Sequence, residues 1–159
     1  MKFKQRTLKQ IADMICGNFD GKEGYFRYRS SSLLSEFFQD CDTNYRHDGS
    51  TRNYWVAATL EKILEEPHLN ANTPPETFSK VIQALMDQGD AVNEDSQRKK
   101  ALSILSAALV REGFEAFYGP DKKCYYGTLR ATPLPPRRQI PTAHSPLLNS
   151  KDASTLLLI

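Results

Sequence analysis

A histidine beside a carboxylate is the cluster in this chain best suited to chemistry. His47 and Asp48 follow Tyr45 and Arg46, and an imidazole tuned by a neighbouring carboxylate can serve as a general base. With Arg46 and Tyr45 beside it, His47 would suit a small ribonuclease-like enzyme. Residues adjacent in sequence rarely face one substrate, however, and no nucleophile accompanies these. The reading favoured is a solvated loop, with no catalytic residue. His68 and His144 lie near prolines without the helical spacing that places two imidazoles on one ion, so neither a metal site nor any other cofactor is implied. Cys16, Cys41 and Cys124 are odd in number and far apart. They form no Cys-x-x-Cys pair and read as free thiols of a reducing, cytoplasmic setting. Cys124, between Lys123 and Tyr125, would be an activated thiol only if a cation lowered its pKa; a half-buried strand cysteine is the simpler reading. Glu65 and Glu66 close a helix and read as solvated.

A second set of residues could bind rather than react. Arg27 and Arg29 alternate with Tyr25, Phe26 and Tyr28. Arg46 and Arg52 precede Trp55. Arg98, Lys99 and Lys100 form a run, and Lys122, Lys123, Tyr125 and Arg130 decorate a turn and its flanks. On one face these cations would track a phosphate backbone while tyrosines stacked on bases. The proposed nucleic-acid-binding set is Arg27, Arg29, Arg98, Lys99, Lys100, Lys122, Lys123 and Tyr125. The alternative is a solvated rim, since Glu94, Asp95, Glu112, Glu115 and Asp121 are interspersed. The net charge of +2 does not itself call for a polyanion.

These residues need elements to hold them. With 159 residues, 40% hydrophobic and 25% charged, the chain fits one domain and a tail. Leu8, Ile11, Ala12 and Ile15 mark a first helix from Thr7. Leu33, Leu34, Phe37 and Phe38 mark a second, capped by Ser30, Ser31 or Ser32. Trp55, Val56, Thr59, Leu60, Ile63 and Leu64 mark a third, from Ser50 or Thr51 to Glu65. Thr73-Pro74-Pro75-Glu76 reads as a capping box with proline in the first turn, ahead of Phe78, Val81, Ile82, Leu85 and Met86 and a stop at Gly89. A fifth helix spans 94–112, with Leu102, Leu105, Ala108 and Leu109 inward and Gly113 ending it in a left-handed turn. Residues 114–129 then read as a hairpin around Gly119-Pro120-Asp121-Lys122. The fold class expected is α+β, mostly α: a five-helix bundle with a C-terminal β-hairpin. Trp55, Phe37, Phe78, Ile82, Leu105 and Leu109 should be buried.

The domain is placed at 1–130 and a Pro-rich linker at 131–159, where five of the nine prolines fall between Pro133 and Pro146. Leu156 to Ile159 reads as the opening of a further element, so an additional C-terminal domain is expected. No run approaches the roughly 20 apolar residues of a membrane helix, and no membrane partner is expected.

The order of motifs resembles a known family. Tyr28-Arg29-Ser30 enters the Leu33-Leu34-Ser35-Glu36-Phe37-Phe38 helix. Arg52 to Trp55 opens the next, and Leu102 to Leu105 leads to Arg111-Glu112-Gly113-Phe114. Over residues 5–130 the chain resembles the helical N-terminal domains of bacterial abortive-infection (AbiJ-like) phage-defence proteins. That resemblance implies a helical module ahead of a separate effector, and it supplies no catalytic residue. The function expected is a non-enzymatic regulatory or interaction domain, sensing or assembling, whose partner is another protein or its own effector; self-assembly into an oligomer is compatible with this role. The alternative is a winged-helix-like nucleic-acid binder, with the fifth helix and the hairpin as recognition helix and wing.

Overall fold

A computed structural model describes residues 1–18, 26–68, 70, 72–87 and 94–129. Tyr25, Gly89, Arg130, His144 and the linker at 131–159 lie outside the described residues. Five helices come first: α1 (Gln5–Cys16), α2 (Ser31–Asp40), α3 (Arg52–Glu65), α4 (Glu76–Leu85) and α5 (Glu94–Leu109). The short 3-10 turn Val110–Glu112 then leads into an antiparallel hairpin of β1 (Phe114–Tyr118) and β2 (Cys124–Thr128). The mostly helical α+β class read from periodicity is the class observed. Among the described residues, no helix is long and apolar enough to cross a membrane.

One apolar cluster draws on every helix and on the hairpin's inner face. Trp55, Phe37, Phe78, Ile82, Leu105 and Leu109 are all buried, as their spacing predicts. α1 packs chiefly on α3, while β1 packs on α5 and β2 on α4. Aromatic rings close the joint. Phe3 lies 5.4 Å from Phe78 and 5.8 Å from Phe114, and Tyr126 lies edge-on to both Phe78 and Phe114. The Tyr126 hydroxyl also pairs with Ser79 Oγ at 2.7 Å.

Two helix starts differ from expectation. α1 begins at Gln5, two residues ahead of Thr7. At α4 no capping box forms. Helix α4 starts at Glu76 after an extended Pro75, and Thr73 Oγ1 donates to the Asn70 carbonyl instead. The reason is steric: a box on Thr73 needs Pro74 to be helical, and the ring of Pro75 disfavours that conformation in its predecessor. Glu66, read as solvated, makes a different link at this joint. Its Oε2 accepts from Thr77 Oγ1 at 2.6 Å and ties the end of α3 to the first turn of α4. At α2 the expected cap holds, with Ser30 Oγ accepting from Leu33 N.

The end of α1 is the tightest approach in the bundle. Gly17 is left-handed (φ +67°), and the chain turns so closely under residues 27 and 28 that a Cβ would stand 2.4 Å from the Arg27 carbonyl oxygen. The Gly17 and Asn18 amides donate to the Met14 and Asp13 carbonyls, closing the last turn.

Candidate binding surface

The eight residues proposed for binding divide into separate places. Arg29 is interior, 3% exposed. Its Nη1 donates to the Ile15 carbonyl at 2.7 Å, and its guanidinium lies 4.4 Å from the centre of the Phe37 ring. This corrects its reading as a phosphate contact. A guanidinium this deeply buried, with Nη1 donating to main-chain oxygens, serves the interior before any ligand. The segment alternates in burial, with Phe26 and Arg29 inward and Arg27 and Tyr28 exposed. Arg52, also read as a surface cation, is a second brace. It donates to the Arg29 and Cys16 carbonyls and to Asn18 Oδ1, and it covers the Tyr28 ring at 4.3 Å. Arg27 is exposed beside Arg29 in a small pocket that also holds Glu36 and Asp40, whose carboxylates oppose an anionic ligand there.

The second group converges. Arg98 and Lys99 on α5 and Lys122 on the hairpin turn line one cleft of about 350 Å³, floored by Tyr118 and Gly119. Tyr118 is the last residue of β1 on the inner face. Its hydroxyl donates to the Met86 carbonyl at 3.0 Å, pinning the hairpin to the end of α4. Burial pushes its pKa up to about 12, against a lowering contribution from Arg98, whose guanidinium stands 6.0 Å from the ring centre. The phenol is therefore a fixed, neutral floor. Cys124 and, more weakly, Asp87 add to the upward push. Lys100 and Lys123 are exposed but do not line the cleft.

The turn itself is a three-residue loop. The Gly119 amide donates to the Lys123 carbonyl at 2.9 Å, and the Lys122 amide to the Gly119 carbonyl at 3.0 Å. Lys122 is left-handed at φ +63°, a position where such hairpins prefer glycine. At Gly119 a Cβ would meet Asp121 Oδ1 and the Tyr125 ring at 2.8 Å, so a larger residue would have to push these two side chains aside.

Tyr125 belongs to the opposite face. The strand alternation puts Phe114, Ala116, Tyr118, Cys124 and Tyr126 inward, and Phe117 and Tyr125 outward as a directly opposed pair. Their rings stack at 6.2 Å with an interplanar angle of 29°. They are 49% and 37% exposed, with exposed Leu129 two positions beyond Gly127 on the same alternation. The Tyr125 hydroxyl donates to Asp121 Oδ2 at 2.7 Å, which raises the phenol's pKa and lowers the carboxyl's. Sequence reasoning named Tyr125 but missed Phe117; pairing Phe117 with Tyr125 by counting outward from the turn would have found it.

The other candidates resolve as structure. The His47 ring packs 5.0 Å from Trp55, and its Nδ1 accepts from the Gly49 amide. Its Nε2 is buried without a hydrogen-bond partner. Asp48 turns to Ser50, whose amide donates to it at 2.9 Å and whose side chain and amide hold its carboxyl below the usual range. No hydrogen bond joins Asp48 to His47 among the described residues. Tyr45 packs edge-on to Phe38. Burial pushes the Cys124 thiol up to about 12 and Cys16 up to about 11, the reverse of activation. His68 Nδ1 lies 3.0 Å from the Glu66 carbonyl. Among the described residues no three potential metal ligands gather. Compared with known proteins, the chain matches no family model, no curated protein and no solved structure.

Proposed function

We propose that this is a non-enzymatic interaction domain whose partner docks on the outer face of the hairpin. The observation that carries the reading is the stacked, exposed Phe117–Tyr125 pair. Two large aromatic rings that contribute nothing to the core are held rigidly by strand pairing and by the Tyr125–Asp121 hydrogen bond. Aromatic side chains so placed supply contact area at low entropic cost, which is why they anchor interfaces. The resemblance to abortive-infection modules supplies the setting: a defence protein whose effector, on its own chain or another, is held in a controlled state.

The test is a bacterial host expressing the protein and challenged with phage. A Phe117→Ser/Tyr125→Ser variant should fold with an unchanged melting temperature and lose protection. Full protection by the folded variant would remove the reading.

A second reading rests on the cleft. Arg98, Lys99 and Lys122 line one cleft between α5 and the hairpin turn, an arrangement that would suit a recognition helix beside a wing on nucleic acid. Binding of a short oligonucleotide should then fall steeply with salt, and absence of binding at low ionic strength would refute it.

A further inference from the structure

We infer that the cleft between α5 and the hairpin turn is a binding site for a small phosphate-bearing ligand, of nucleotide size. Three observations meet there. The first is shape with charge: Arg98, Lys99 and Lys122 enter one concavity of about 350 Å³ from two different elements, within the range of small-molecule sites. Neither Lys99 nor Lys122 forms an ion pair among the described residues. Two such lysines, reaching the cleft from α5 and from the turn, suit an oxyanion, which accepts several charge-assisted hydrogen bonds at once.

The second observation is the backbone of Lys122. A lysine in the left-handed region is strained, and glycine would relieve it. Such strain points to a side chain retained for what it does. The other described non-glycine residue with positive φ shows the same logic: Asp42 (φ +60°) holds Lys80 Nζ at 2.8 Å. Lys122 has no such protein partner among the described residues and borders the cleft instead.

The third is the absence of a track among the described residues. A nucleic-acid strand needs cations continuing along a surface. Here Arg29 is interior, Arg27 shares a separate pocket with Glu36 and Asp40, and Lys100 and Lys123 stay outside the cleft. Of these proposed cations, the ones that gather do so in one concavity. The fixed Tyr118 ring, anchored to the Met86 carbonyl, gives the site an aromatic floor beside its cations.

This inference goes beyond the interaction-domain reading, which uses the opposite face of the hairpin, and competes with the oligonucleotide reading for the same cleft. The full chain is titrated calorimetrically at low ionic strength with inorganic pyrophosphate, ADP, adenosine and a short oligothymidylate. Pyrophosphate and ADP should bind and adenosine should not. Lys99→Ala and Lys122→Gly should each weaken ADP binding about tenfold or more, the scale of one lost charge-assisted hydrogen bond. Lys62→Ala, on the exposed side of α3, should leave it unchanged. Lys122→Gly keeps a misfolding explanation out of play, because it should melt higher than wild type while binding less. No binding of pyrophosphate or ADP overturns the inference, as does wild-type affinity in both cleft variants. Binding of the oligonucleotide alone also overturns it and leaves the polymer reading standing. None of these outcomes touches the Phe117–Tyr125 experiment.

Discussion

Replacing Arg29 separates a structural arginine from a ligand-binding one. The guanidinium donates to the Ile15 carbonyl, lies over Phe37 and is almost wholly buried. Its own carbonyl receives Arg52, and its amide donates to the Cys16 carbonyl. Arg29→Ala therefore removes a charge-assisted hydrogen bond of about 1.5–3 kcal/mol. It also removes a desolvated cation–π contact of about 1–2 kcal/mol. Allowing for overlap between the two, the loss should be about 3 kcal/mol. With a urea m-value of about 2 kcal/mol/M, the midpoint should fall by about 1.5 M. Arg29→Lys should recover only part, because an ammonium keeps the charge without the planar fork. The assay is equilibrium unfolding in urea followed through Trp55 fluorescence. A midpoint that moves by less than about 0.3 M would refute the argument, since it would show that the buried guanidinium stabilises nothing.

Other expectations follow from the same coordinates. Gly17→Ala should cost at least about 2 kcal/mol, because a left-handed L-residue costs roughly 1–2 kcal/mol and its Cβ would also collide with the Arg27 carbonyl. Gly113→Ala, with φ +85° but open space around it, should cost only the first part, about 1 kcal/mol. Thermal melts of the two variants compare them directly. Trp55→Ala and Leu105→Ala should each lose about 2–5 kcal/mol in denaturant titrations. The buried thiols give a pH dependence of definite sign. Unfolded thiols titrate near 9, while Cys16 and Cys124 in the fold titrate at about 11 and about 12. The unfolded chain releases its protons first, so stability should fall as the pH rises through this window. Both Cys→Ala substitutions together should reduce that slope, leaving the share of Tyr118 and Tyr126, which burial also raises to about 12, as read from melts at stepped alkaline pH.

The elements were legible because their apolar spacing is regular and each face meets the same core. Gly113 and the turn at residues 119–122 punctuate the sequence where the chain in fact turns. The places of the candidate binding residues were less legible for a physical reason. An arginine's sequence neighbours do not reveal whether its guanidinium meets water or main-chain carbonyls. Arg29 and Arg98 look alike in the sequence, and only the approach of α1 to residues 27–29 separates them. The α4 start failed as a capping box because two consecutive prolines obey a steric rule stronger than the motif. Phe117 went unnoticed because its importance comes from the residue across the strand, not from the residues beside it.

The aromatic joint between Phe3, Phe78 and Phe114 also sets a timetable for synthesis. Phe3 leaves the ribosome before the rest of this joint, yet one ring it packs on belongs to β1, more than a hundred residues later. The Thr7–Glu112 hydrogen bond spans the same interval, 105 residues. At about 5–20 residues per second, that interval lasts roughly 5–20 s. α1 gains α3 only once Glu65 has been made, and Phe3 gains Phe78 before it gains Phe114. The nascent chain thus leaves the Phe114 side of the Phe3 ring uncovered until the hairpin emerges, and a translational pause before Phe114 would prolong its exposure to chaperones and proteases.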